Sequence, residues 1–205
     1  MRRIVKNPAH TQAFNGWASQ QGFTNWDRFS GSDAYHQLRN HVLFNEQYGL
    51  SGYTEEPLDN PNLQPHIDHY RKKGIYPRLT FDYENLVVDY HNTTYGSSHK
   101  DKLVNGSFNY ADIFDPVHDD MSQYIQFGPH GEMMPEYNLD PSVKAKVDKT
   151  IEVFDLNHNV LNSKRYSIMC MLESYAGMEP EIIKDCMQLA GFPSLVIWWL
   201  RTHTA

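Results

Sequence analysis

His66-Ile67-Asp68-His69, followed by Asn85 sixteen residues after His69 and then by His91-Asn92, brings together residue types that can break a phosphodiester. A hard carboxylate oxygen such as that of Asp68 can hold a divalent cation against the scissile phosphate and absorb charge on the departing oxygen. A neutral imidazole can strip a proton from water on the opposite side, and His69 suits that task because histidine titrates near neutral pH. The carboxamide of Asn85 can hold the loop or orient that imidazole, and His66 is a further catalytic candidate. Tyr70-Arg71-Lys72-Lys73 places three cations beside the base, the charge a phosphate substrate requires. Each residue also has a plain reading. In a chain with 11 histidines such spacings arise by chance, Asp68 can cap a turn, and a basic run can be a solvated loop.

The elements that must position these residues can be read from periodicity and punctuation. Ser32-Asp33 caps a helix whose apolar residues Tyr35, Leu38 and Val42 recur at helical spacing, with Gly49 as its stop. Pro57, Asn60, Pro61 and Pro65 mark a loop into a short strand, His66–Tyr70, and Leu86–Asp89 is apolar enough to pair with it antiparallel. The run Thr93-Thr94-Tyr95-Gly96-Ser97-Ser98 forms helix poorly, so any helix after the hairpin should be short or replaced by a loop. Residues 103 to 140 are rich in Asn, Asp, Gly, Pro and aromatics and predict an irregular, packed connector. Beyond Pro141, Val143, Val147, Ile151 and Phe154 keep helical spacing, and two more helices are predicted over 159–175 and 180–190.

Composition bounds the function without choosing it. The chain has 205 residues, enough for one sizeable core, and 18 Lys+Arg against 25 Asp+Glu give a formal charge of −7. That balance argues against a protein that coats nucleic acid by itself and leaves binding to a local basic patch or a partner. Cys170 and Cys186 have no neighbouring Cys or His at ligand spacing and read as reduced core thiols. No apolar run follows the charges at the N-terminus, and the longest such run near the other end, Leu195–Leu200, is far short of the ~20 residues a membrane span needs. A cytoplasmic chain with no membrane contact is expected. Trp198-Trp199 suits a partner anchor or core burial about equally.

Read together, His66–Lys72, Tyr76–Leu86, Phe114-Asp115-Pro116, Tyr124–Phe127, Gly131–Pro135 and Thr150–His158 with Leu161 and Arg165 resemble, in order, the blocks of the PtuB-like HNH endonuclease family. Its members are nuclease subunits of Septu anti-phage systems and of retron-associated effectors. The resemblance implies an α+β fold, mainly helical, with a small ββα-metal (HNH) nuclease core. It implies one domain over 1–205, with the core at about 60–105, a helical N-terminal part at about 1–50 and a helical C-terminal part at about 140–205. The implied catalytic residues are His69, Asn85 and His66. The implied metal ligands are Asp68 with His91 or Asn92, although an ungapped count from Asn85 falls on Thr94. Arg71, Lys72, Lys73 and Lys100 are the implied contacts to nucleic acid, with His99 a further candidate. The cofactor would be Mg²⁺ or Mn²⁺ and the substrate DNA or tRNA. The partners would be an ABC-type ATPase (PtuA-like) and, in the retron-associated branch, a reverse transcriptase with its RNA–DNA product.

One departure bears on the chemistry. Family members commonly carry two Cys-x-x-Cys knuckles, where this chain reads Ser51-Gly52-Tyr53-Thr54 and Tyr90-His91-Asn92-Thr93, so no structural zinc is expected there. That loss motivates an alternative, a catalytically degenerate scaffold or interaction subunit of the same complex. A hydrolytic zinc enzyme built on His66, Asp68 and His91 ranks behind both.

Overall fold

The computed structural model describes residues 1–21, 25–58, 63–91, 94–187 and 190–203. Three helices, α1 (Pro8–Gln21), α2 (Trp26–Ser30) and α3 (Asp33–His41), precede an antiparallel hairpin of β1 (Pro65–His69) and β2 (Leu86–Tyr90), after which α4 (Ser97–Leu103) follows directly. A second antiparallel pair, β3 (Ile125–Phe127) with β4 (Met133–Pro135), leads into α5 (Pro141–Phe154), α6 (Asn159–Ser174), α7 (Pro180–Met187) and α8 (Pro193–His203). The class is therefore mixed and largely helical, with two small antiparallel sheets. No helix among the described residues is long and apolar enough to cross a membrane.

Strand alternation on β2 explains why the hairpin sits at the centre. Leu86 and Val88 face one apolar cluster with Trp26, Phe29, Tyr35, Leu43 and Tyr83, while Val87 faces a larger one that runs from Ile4 and Tyr53 to Phe154, Leu172 and Trp199. All three β2 residues are fully buried. A lone two-stranded ribbon is marginal in water, so its free edge needs covering. Here the Gln47 carboxamide pairs with Val88 as a strand residue would, its Nε2 donating to the Val88 carbonyl and its Oε1 accepting from the Val88 N–H, both at 2.8 Å. The Gly52 N–H adds a bond to the same carbonyl at 3.0 Å. A Cβ on Gly52 would lie 2.2 Å from Val87 Cγ1, so only glycine allows that approach.

α4 is a short helix of seven residues that starts only at the end of the poor helix-forming run, and tertiary contacts fix where it starts. The buried Asp89 carboxylate accepts from the Ser97 N–H at 2.9 Å, satisfying a donor of the first turn, and from Ser51 Oγ at 2.8 Å. Farther on, the predicted connector contains the β3–β4 pair in addition to irregular turns. Its turn is held by the fully buried Arg165, whose Nε donates to the Gly131 carbonyl at 2.6 Å. Residues 1–7 are not helical, and the Ile4 N–H bonds the Pro116 carbonyl at 2.7 Å.

The cysteines correct an expectation: Cys170 and Cys186 are exposed, not core thiols. α6 buries Leu161, Arg165, Ile168 and Leu172, and α7 buries Ile183 and Met187, which turns both thiols outward.

Candidate active site

Asp68 and His69 end β1, and alternation sends their side chains to opposite faces of the hairpin. On one face, Asp68 Oδ2 accepts from Tyr53 Oη at 2.6 Å and forms an ion pair with the ammonium of Lys100 on α4. Tyr53 is itself fully buried, stacked on Phe154 at 4.5 Å between centroids. Lys100 Nζ also donates to the His69 carbonyl at 2.6 Å and lies 3.5 Å from Asp101 Oδ1. Its exposure is 0%, so the nucleic-acid contact expected of it is corrected. Lys100 is an internal cation that ties α4 to the end of β1, with Asp68 to balance its charge.

On the other face, His69 lies edge-on to Trp26 with centroids 4.3 Å apart. Its Nε2 is 3.0 Å from the Thr80 carbonyl oxygen. A carbonyl can only accept, so Nε2 carries the hydrogen and Nδ1 keeps the lone pair. Burial pushes the imidazole down to about 4, outweighing the Thr80 carbonyl and Asp68, which act in the other direction. The ring is neutral at physiological pH.

Between β1 and β2, Asn85 closes the loop. Its Oδ1 accepts from the Arg71 N–H at 2.7 Å, and its Nδ2 donates to the Arg71 carbonyl at 3.1 Å and the Leu79 carbonyl at 3.0 Å. One buried carboxamide thus ties Arg71, the first cation of the basic run, to Leu79 beyond it. Within that run Arg71 lies over the Tyr110 ring at 5.3 Å, Lys72 Nζ donates to the Asp101 carbonyl at 2.6 Å, and Lys73 Nζ sits 3.5 Å from Asp27 Oδ1.

The structure does not bring the remaining site candidates to this place. β1 and β2 pair Asp68 with Val87 and Pro65 with Tyr90, and His91 then bonds back to Gln64, so Asp68 and His91 are four strand positions, roughly 13 Å, apart. His91 therefore cannot share an ion with Asp68. His66 pairs with His91 instead, ring centroids 5.4 Å apart, at an open recess of about 530 Å³ that Arg39 also lines. Asn92 lies outside the described residues. Thr94 is exposed, and His99 Nδ1 faces the Val153 carbonyl at 3.1 Å, away from Asp68.

No protein-family model and no curated protein matches this chain. Three groups of the site had no sequence signal: Tyr53, Thr80 and Trp26 are distant along the chain, and no spacing links them to His69 or Asp68. Lys100 was visible as a cation, but its burial depends on Asp89 starting α4 where it does.

A cation site emerges elsewhere. One ligand atom from each of His10, His41 and Glu46 lies within 4.8 Å of the other two, so this group could hold a metal ion.

Proposed function

We propose that the chain is an endonuclease that hydrolyses phosphodiester bonds of DNA or tRNA, with His69 as general base. The observation that carries this reading is a neutral imidazole with a fixed tautomer, its Nε2–H committed to Thr80 and the lone pair left on Nδ1, in a loop clamped by Asn85 beside Arg71, Lys72 and Lys73. In the reaction, Nδ1 takes the proton of a water whose oxygen attacks phosphorus, the bond from phosphorus to the departing sugar oxygen breaks, that oxygen takes a proton from solvent, and the basic loop holds the phosphate. A base held near 4 is always in the accepting form at neutral pH but accepts weakly; the negative charge of a phosphate beside it raises it toward neutrality.

Mg²⁺ or Mn²⁺ at Asp68 is the expected cofactor, and the donors there fit it poorly. Oδ2 already takes Tyr53 and the Lys100 ammonium, and Asp68 belongs to no group of three or more convergent ligands among the described residues. The ABC-type ATPase partner, the retron reverse transcriptase with its RNA–DNA product and the cytoplasmic setting rest on the resemblance, with the −7 charge favouring a subunit that borrows affinity from elsewhere.

A specific observation favours the second reading, a catalytically silent scaffold: Asp68 is closed by Lys100 and His69 is 6% exposed. Incubating plasmid DNA and total tRNA with wild type and His69→Ala, with EDTA, Mg²⁺ or Mn²⁺ and with or without the ATPase encoded alongside, separates the two. Cutting by wild type that His69→Ala lacks supports the nuclease. Equal cutting by both removes His69 as base, and no cutting of either polymer in any combination leaves the scaffold.

A further inference from the structure

α1 contributes His10 from its first turn, α3 ends on His41, and a π-helical turn over Val42–Glu46 ends on Glu46. In a regular α-helix residues five apart point about 140° away from each other, so His41 and Glu46 would not share a ligand. The π turn, with the Gln47 N–H bonded to the Val42 carbonyl at 3.0 Å, brings His41 Nε2 to 3.8 Å from Glu46 Oε1. The His10 ring completes the group, edge-on to His41 with centroids 4.6 Å apart.

The atom that points to a ligand is His41 Nε2. It is buried, and no hydrogen-bond partner among the described residues reaches it. A buried polar nitrogen without a partner is costly, and most such atoms are satisfied. The Glu46 carboxylate, by contrast, is held firmly. Tyr83 Oη donates to Oε1 and Lys6 Nζ donates to Oε2, both at 2.7 Å, which orients the carboxylate as outer-shell partners of metal ligands do.

We propose that His10, His41 and Glu46 bind one Zn²⁺ ion. Two imidazole nitrogens and one carboxylate oxygen form a borderline-soft set that suits Zn²⁺ far better than Mg²⁺. Tetrahedral Zn²⁺ at about 2.0–2.1 Å from each donor sets the donors about 3.4 Å apart. The His41–Glu46 separation is already close to that, and His10, which is exposed, can rotate to complete the set. His10 and the partly exposed His41 leave the fourth position to water. The Lys6 ammonium lies on the other carboxylate oxygen, Oε2, and leaves Oε1 as the oxygen that faces His41. Bound there, the ion ties α1 to the end of α3 and, through Glu46 and Tyr83, to the segment that carries Asn85.

The test uses the full chain stripped of metal by a chelator, and its readouts are independent of nuclease activity. Titration with Zn²⁺ against a chromophoric competitor should give one equivalent, and Co²⁺ should give the intense visible bands of a four-coordinate ion. His10→Ala, a surface change that leaves the fold intact by circular dichroism, should weaken binding by about tenfold or more, as should His41→Ala. His66→Ala should leave binding unchanged. Binding of less than one equivalent, binding that His10→Ala leaves unaltered, or binding lost in His66→Ala would overturn the assignment.

Discussion

Acidification should destabilise this protein through His69 by a predictable amount. The imidazole is held near 4 in the folded chain against an ordinary 6.5, chiefly by burial under Trp26. Between those two pH values the unfolded chain binds a proton that the folded chain does not, so stability falls as pH falls. Above 6.5 the contribution is fully present, and below 4 both states are protonated and the loss stops. At about 1.4 kcal/mol per pH unit, the loss from this residue amounts to about 3 kcal/mol by pH 4. His69→Gln removes the titration while leaving an amide N–H that can still donate toward Thr80. Urea unfolding of both proteins at pH 7.5, 6, 5 and 4 isolates the effect, because every other carboxylate and histidine contributes equally to both. The difference in stability between wild type and variant should shift by about 3 kcal/mol across that range, against wild type at the acid end. Parallel curves would refute the reasoning, since they would mean that His69 titrates alike in both states and is not a buried neutral ring.

Three further outcomes follow from the same contacts. Lys100→Met leaves Asp68 buried against an apolar neighbour and should cost about 3–5 kcal/mol in urea unfolding, most of it recovered in the double variant with Asp68→Asn; an unrecovered loss would mean that Lys100 acts through the His69 carbonyl instead. Asn85→Ala removes three hydrogen bonds to backbone groups of Arg71 and Leu79 and should lower stability by about 3 kcal/mol, with faster amide exchange at Arg71 as the local signature. Both cysteines are exposed, so a thiol reagent should modify Cys170 and Cys186 in the native protein as fast as in urea.

How far the sequence can be read depends on whether neighbours along the chain or across the fold decide an element. The hairpin was readable because its turn residues and apolar runs are local: Leu86–Asp89 and His66–Tyr70 are each within one residue of the observed strands. The helices after Pro141 declared themselves by Val143, Val147, Ile151 and Phe154 for the same reason. α4 is short, as the poor helix formers before it predict, but its starting point was not legible, because it is held by Asp89 on β2, itself bonded by Ser51 from a distant turn. Lys100 shows what this costs at the site. A lysine beside two histidine-rich segments reads from sequence as a phosphate contact. Folding instead puts it inside, where its ammonium occupies the approach to the carboxylate that a divalent cation was expected to take. The same substitution runs the other way at Glu46. There a buried lysine accompanies a carboxylate whose second oxygen still faces an imidazole nitrogen with no partner, and the local geometry leaves room for a cation. Both carboxylates carry a buried lysine and a tyrosine hydroxyl, and what separates them is that His10 and His41 converge on Glu46, a group of three ligands that Asp68 lacks among the described residues.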